Sequence, residues 1–164
     1  MNAAAHRLFA EDTPSAAAWP FDSVRKTWQV APGAGRTLTM AVGRSISHDW
    51  RDEVVQKLMY LLSFRPGWDS YESVAPSQDA ATDMFAVLTS TMSPHAPSPA
   101  IVPSSHGHFQ AEWHTPFADL EVEVLSSAQV VASYANRRTG VQWDDRAFSV
   151  DLREIARAIA EVAA

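Results

Sequence analysis

The stretch FQAEWHTPFADLEVEVLSSAQVVASYA, residues 109–135, decides the fold because apolar side chains recur in it at every second position. The alternation is visible in three runs, 109–114, 120–124 and 130–134. A period of two is typical of β-strands, whose successive side chains point to opposite faces of a sheet. The connections between the runs are short and turn-like, so neighbouring strands should be antiparallel. The stretch therefore predicts a β-meander with one apolar and one polar face.

Further strands are expected on both sides of this meander. The run AIVPS (100–104) precedes it, and VQW (141–143) follows the turn-like NRRTG. Near the N-terminus, residues 23–30 and 36–43 read as two strands around APGAG, which predicts a β-hairpin. The sheet should therefore contain three to five strands in addition to this N-terminal hairpin.

Two helices are predicted between the hairpin and the meander. From Asp49 the apolar residues recur at helical spacing, with Asp49 or Ser47 as the cap. Arg65 should lie in the last turn of this helix, which Pro66 and Gly67 should end. The second helix should begin after the cap residue at position 77, Ser, and end in the proline-rich connector 93–103.

A third helix is predicted at the C-terminus. Asp151 and Glu154 have the spacing of a capping box, and Val150 and Ile155 that of a hydrophobic staple. Helices and strands that do not alternate one for one favour an α+β fold. We expect an antiparallel meander packed on one face by two or three helices. Residues 1–22 should form a flexible arm, and residues 23–164 a single α+β domain.

Composition limits the function classes. The 164 residues carry 13 Lys and Arg against 19 Asp and Glu, a net charge of −6. Nucleic acid is therefore not expected as the main partner, because such binding depends on clustered basic residues. The chain has no cysteine, no signal-peptide pattern and no apolar run of membrane-spanning length. We therefore expect a cytoplasmic protein with no cofactor and no membrane partner.

The segment RPGWDSYES, residues 65–73, is the first candidate site. In a structural interpretation, Asp69 accepts bonds from nearby backbone N–H groups and Trp68 wedges between the first two helices. In a functional interpretation, Trp68, Asp69 and Tyr71 form a binding surface at a loop mouth. We favour the structural interpretation, because Gly and Asp are typical turn residues, and the functional interpretation stays open.

Two clusters on the meander are further candidates. Glu112, Glu121 and Glu123 should share the polar face, where they could form an acidic stripe that recognises a basic partner. The second cluster consists of three of the six histidines, His106, His108 and His114. With a carboxylate they could hold a divalent metal, although His106 and His108 flank a glycine turn where side chains splay into solvent.

Several of these motifs together resemble a group of small bacterial proteins. GWDSY (67–71), APS (75–77), PSPAIVPS (97–104), QAEW (110–113) and DLEVEV (119–124) follow the order GWD-x-Y, P-x-P, (L)EW and L-x-V-x-V of that group. The match covers about residues 65–134. The resemblance implies no activity. Members look like accessory genes, some of them near mobile-element or toxin–antitoxin loci.

This chain departs from the pattern of that group at two places. Ser70 and Glu72 stand where the group often has glycines, and His106 and His108 are not expected throughout it.

Two functional hypotheses result. The first is a non-enzymatic protein-interaction module, antitoxin-like or inhibitor-like, that binds a basic protein through the acidic sheet face or the GWDSY loop. The alternative is a metal-assisted hydrolase, a nuclease or phosphoesterase, that uses the histidines and a carboxylate. A free sheet edge or exposed tryptophans could also form a homodimer face.

Overall fold

The computed structural model describes residues 23–29, 37–43, 49–149 and 151–164, the first two ranges by their backbone only. The elements in chain order are β1 (Ser23–Gln29), β2 (Thr37–Gly43), α1 (Arg51–Leu61), α2 (Gln78–Thr91), β3 (Ala100–Pro103), β4 (Phe109–His114), β5 (Ala118–Ser126), β6 (Gln129–Asn136), β7 (Gln142–Phe148) and α3 (Arg153–Val162).

The five strands β3 to β7 form one antiparallel sheet in the order of the chain. The predicted meander and the α+β class are thereby confirmed. The connection between β5 and β6 is as short as the sequence predicts. The strand expected at 141–143 is longer than predicted, since β7 extends from Gln142 to Phe148.

One face of this sheet and the three helices enclose the core. The buried residues on the strands are those that the period of two assigns to the apolar face, such as Phe109, Leu120 and Val130. Two buried tryptophans also fix the proline-rich connector. The indole N–H of Trp50 donates to the carbonyl of Ser93, and that of Trp113 to the carbonyl of Pro97, each at 3.0 Å. Buried indoles need such partners, so the connector is held against the core.

The limits of α1 differ from the prediction. Its first cap residue is Trp50, without a side-chain cap bond, because the carboxylate of Asp49 instead binds the Nδ1 atom of His95 at 3.0 Å. The helix ends at Leu61, before Arg65. The Ser63 hydroxyl donates to the carbonyl of Tyr60 at 2.6 Å. The next two backbone N–H groups, of Ser63 and Phe64, bond three residues back instead of four, so the α-helical pattern does not continue.

The two other helix starts have different outcomes. The hydroxyl of Ser77 accepts the N–H of Ala80 at 3.0 Å, as predicted for the cap of α2. The capping box predicted for α3 is wrong. Asp151 accepts the backbone N–H of Arg153, whereas Glu154 binds Arg146.

Some predictions fall outside the described residues. They are the arm 1–22, the hairpin turn in 30–36, the cap at Ser47 and the staple at Val150. The strands β1 and β2 pair antiparallel, with Ser23 opposite Gly43. Among the described residues, no helix has both the length and the apolar character needed to cross a bilayer.

Candidate functional site

The candidate site is the face of the sheet that points away from the helices. The apolar residues of β4 and β5 are buried on the core side, so the alternate side chains lie on the open face. These outward side chains are Gln110, Glu112, His114, Asp119, Glu121 and Glu123. The prediction that the three glutamates share one face is confirmed.

The register of β4 and β5 brings the glutamates together. Glu112 pairs directly with Glu121, and Glu123 pairs with Gln110. The amide of Gln110 donates to the Oε2 atom of Glu121 at 3.0 Å. Among the described residues, Glu123 has no hydrogen-bond or ion-pair partner. Two carboxylates therefore face each other across the strands, with a third beside them.

His114 lies at one end of this row, between two carboxylates. Its Nδ1 atom is 3.1 Å from Oδ1 of Asp119, and its Nε2 atom is 3.2 Å from Oε2 of Glu112. The hydrogen bond with Asp119, followed by that with Glu112, raises the pKa of the His114 imidazole. A protonated imidazole donates from both nitrogens, so this arrangement favours the charged form.

Asp119 also binds a basic residue from the next loop. The guanidinium of Arg137 forms an ion pair with its second carboxylate oxygen. The bond with His114 has the largest effect in lowering the pKa of Asp119, and Arg137 lowers it further. Arg137 and His114 therefore both lie at the Asp119 end of the face. Neither Glu121 nor Glu123 forms an ion pair with a described residue, so their negative charges are not neutralised.

The neighbouring strand β6 does not change this balance. Its outward side chains beside the carboxylates are Val131, Ser133 and Ala135, none of which is charged. The middle of the open face therefore has an excess of negative charge.

The predicted histidine cluster does not assemble. His106 and His108 flank Gly107 in the turn between β3 and β4, whereas His114 ends β4. His114 lies six positions after His108 along extended chain, a distance of about 20 Å. Within the described parts of the chain, no three His, Asp or Glu side chains are arranged to hold a metal ion.

The segment RPGWDSYES forms a closed loop after α1. Contrary to the prediction, Gly67 lies in this loop and does not end α1; its φ is +75°, and its N–H donates to the carbonyl of Ser73 at 2.9 Å. The carboxylate of Asp69 accepts the N–H of Tyr71 at 2.9 Å, and this bond lowers the pKa of Asp69. Ser70 also has a positive φ, +70°. The predicted role of Asp69 in tying the turn is confirmed.

The two aromatic residues of this loop have different surroundings. The ring of Trp68 packs on that of Phe64, with centroids 5.5 Å apart, and Phe64 in turn packs on Tyr60. Trp68 is half-buried and is not part of the core cluster, so the predicted wedge between the helices is not its main contact. Tyr71 is 81% exposed. The loop is fixed to the turn between β3 and β4, where the N–H of Val74 donates to the carbonyl of Ser105 at 2.8 Å.

Sequence reasoning missed two residues at this end of the sheet face, Asp119 and its ion-pair partner Arg137. Asp119 has the same parity as Glu121 and Glu123, so the period of two contained the signal for it. Arg137 lies in a loop beyond β6, and no pattern in the sequence indicates that it reaches Asp119.

Comparison of the chain with protein-family models, curated proteins and solved structures finds no match. The resemblance to the small bacterial group therefore remains an interpretation of the motifs. The case for a function consequently depends on the chemistry of the face itself.

Proposed function

We propose that this protein is a non-enzymatic interaction module whose open sheet face binds a basic segment of another protein. Glu112, Glu121 and Glu123 provide the contacts, with Asp119 at the edge. Lys and Arg side chains of the partner would donate charge-assisted hydrogen bonds to these carboxylates. An antitoxin-like or inhibitor-like role against a basic protein is the biological form of this proposal.

The observation that carries the proposal is the direct pairing of Glu112 with Glu121. Like charges directly opposite each other on neighbouring strands destabilise a sheet. A residue choice that opposes stability is typical of functional surfaces, where a partner offsets the cost. Glu123 lies on β5 together with Glu121, and its carboxylate has no partner among the described residues. It therefore enlarges the negatively charged surface.

The GWDSY loop is a weaker candidate for the binding surface. The carboxylate of Asp69 is occupied by the N–H of Tyr71, and Trp68 packs on Phe64. Only Tyr71 presents a large, freely accessible side chain there. We therefore assign the partner to the sheet face.

A binding assay with a labelled oligolysine peptide tests the proposal. Fluorescence anisotropy at low ionic strength should show saturable binding that weakens as salt is added, because exposed charges are screened. The double variant Glu121→Lys and Glu123→Lys should lose this binding. The matched control is Glu53→Lys with Glu72→Lys, which changes the net charge equally at exposed positions away from the sheet.

The comparison between the two double variants decides the outcome. Retained binding in the control and loss in the Glu121 and Glu123 variant would support the sheet face. Equal loss in both would mean that the peptide responds to net charge alone, and the proposal would then be wrong. A further variant, Asp69→Asn, should bind the peptide as the unchanged protein does.

A further inference from the structure

A surface cleft of about 470 Å³ lies between the edge strand β7 and the beginning of α3. Its lining residues are Arg146 and Phe148 from β7 and Asp151, Arg153, Glu154 and Arg157 from the helical side. Five of these six residues are charged. The cleft uses none of the residues of the acidic sheet face, so it constitutes a separate feature of the molecule.

The cleft concentrates positive charge in an acidic protein. Between positions 49 and 164 the chain has eight Lys and Arg residues, and three of them line this cleft. Arg146 binds Glu154 at 2.7 Å, and Arg153 binds Asp151 at 2.6 Å. Arg157 has no hydrogen-bond or ion-pair partner among the described residues. Two guanidinium groups are therefore matched by carboxylates, and one is left over.

The three arginines that line the cleft come from two different elements, β7 and α3. Arg146 lies over the ring of Phe148, 5.2 Å from its centroid, and Phe148 is buried. The cation–π contact restricts the orientation of Arg146, while Glu154 competes with an anion for its guanidinium. Arg153 and Arg157 are four residues apart on α3 and so lie on one side of the helix. Strand and helix thus contribute cations to the same space.

The existing ion pairs do not close the cleft to an anion. Neither pair is buried: the side chains of Arg153 and Asp151 are 88% and 59% accessible, and those of Arg146 and Glu154 are 49% and 39% accessible. Exposed ion pairs of this kind contribute little free energy. A doubly charged oxyanion offers several acceptor oxygens and can bind more than one guanidinium fork at once.

We propose that this cleft binds a phosphate group, free or as a phosphate monoester, with Arg157 as the principal contact and Arg146 and Arg153 as supporting contacts. The proposal is independent of the basic protein partner assigned to the sheet face. Either site can fail its test without affecting the other.

The test is a titration of the full chain with inorganic phosphate at constant ionic strength, in which binding is monitored through the amide chemical shifts in NMR spectra. Saturable shifts should be confined to residues 146–149 and 151–157. The variant Arg157→Gln should weaken phosphate binding about tenfold, because a charge-assisted hydrogen bond is lost. The control Arg65→Gln removes the same charge from an exposed position outside the cleft and should leave the affinity unchanged.

A second variant predicts a gain. Glu154→Gln removes a competing carboxylate and releases Arg146, so phosphate should bind more tightly than to the unchanged protein. Adenosine monophosphate then distinguishes the sources, since tighter binding than inorganic phosphate indicates an esterified ligand and equal binding a free one. Shifts that do not saturate, or equal weakening by Arg157→Gln and Arg65→Gln, would overturn the proposal.

Discussion

Glu112 and Glu121 lie directly opposite each other on β4 and β5, so that two carboxylates meet on the open face of the sheet. The amide of Gln110 binds Glu121 from the diagonal position, and His114 binds Glu112 from the other side. These neighbours reduce the repulsion; Glu121 stays exposed, and the side chain of Glu112 is 23% accessible. The predictions below separate what this face contributes to stability from what it contributes to binding.

The first prediction concerns the variant Glu121→Lys. It replaces a like-charge pair with an opposite-charge pair opposite Glu112, and cross-strand pairs of this kind contribute up to about 1 kcal/mol. The free energy of unfolding in urea should therefore rise by about 0.5 kcal/mol. Oligolysine binding should fall in the same variant. A decrease of both quantities would indicate that Glu121 serves the fold instead.

The second prediction concerns the pH dependence of stability. The carboxylates raise the pKa of His114 above its ordinary value of 6.5 in the folded state. Its contribution to stability is therefore fully present below about pH 6.5 and is lost as the pH rises through the higher folded-state pKa. Urea unfolding across this range should show the loss in the unchanged protein and not in His114→Gln.

The control for this pH profile is His106→Gln, which removes an exposed histidine of the turn between β3 and β4. This variant should keep the loss of stability above pH 6.5. If His106→Gln and His114→Gln flatten the profile equally, the carboxylates around His114 do not cause it.

The third prediction compares two glycines with positive φ. A β-carbon at Gly107 would meet the carbonyl of Ala75 and the side chain of Val74, each at 3.1 Å, whereas one at Gly140 would meet nothing. Gly140→Ala should cost about 1 kcal/mol from backbone strain alone. Gly107→Ala should cost about 2–3 kcal/mol, because the chain after the GWDSY loop is pushed from the turn. Equal costs would show that the contact at Gly107 yields freely.

The fourth prediction concerns the bond between β6 and α3. The hydroxyl of the buried Tyr134 donates to Oε2 of Glu161 at 2.6 Å and accepts the amide of Asn136 at 2.9 Å. Tyr134→Phe should lower the free energy of unfolding by about 1–2 kcal/mol. The matched control Tyr71→Phe removes an exposed hydroxyl and should change it by less than about 0.5 kcal/mol. Similar values for both would mean that the bond to Glu161 contributes little.

The GWDSY loop shows how far local sequence reasoning extends. Gly67 does not end α1, although its φ is positive, whereas Asp69 was predicted correctly because an Asx turn depends on only a few consecutive residues. The position of Trp68 was not, because packing on Phe64 depends on where α1 ends. That end lies at Leu61, where the Ser63 hydroxyl binds the carbonyl of Tyr60, and the Pro66–Gly67 signal does not report it.

By itself the sequence determined the α+β class, the antiparallel meander, the cap at Ser77 and the common face of Glu112, Glu121 and Glu123. All of these follow from periodicity or from bonds between near neighbours in the chain. Only the tertiary structure decided that Glu112 lies opposite Glu121 and that Asp119 binds both His114 and Arg137. The same holds for the cleft between β7 and α3, which three arginines line. Those contacts depend on strand register and on packing between distant segments, which the alternation of side chains along one strand does not specify.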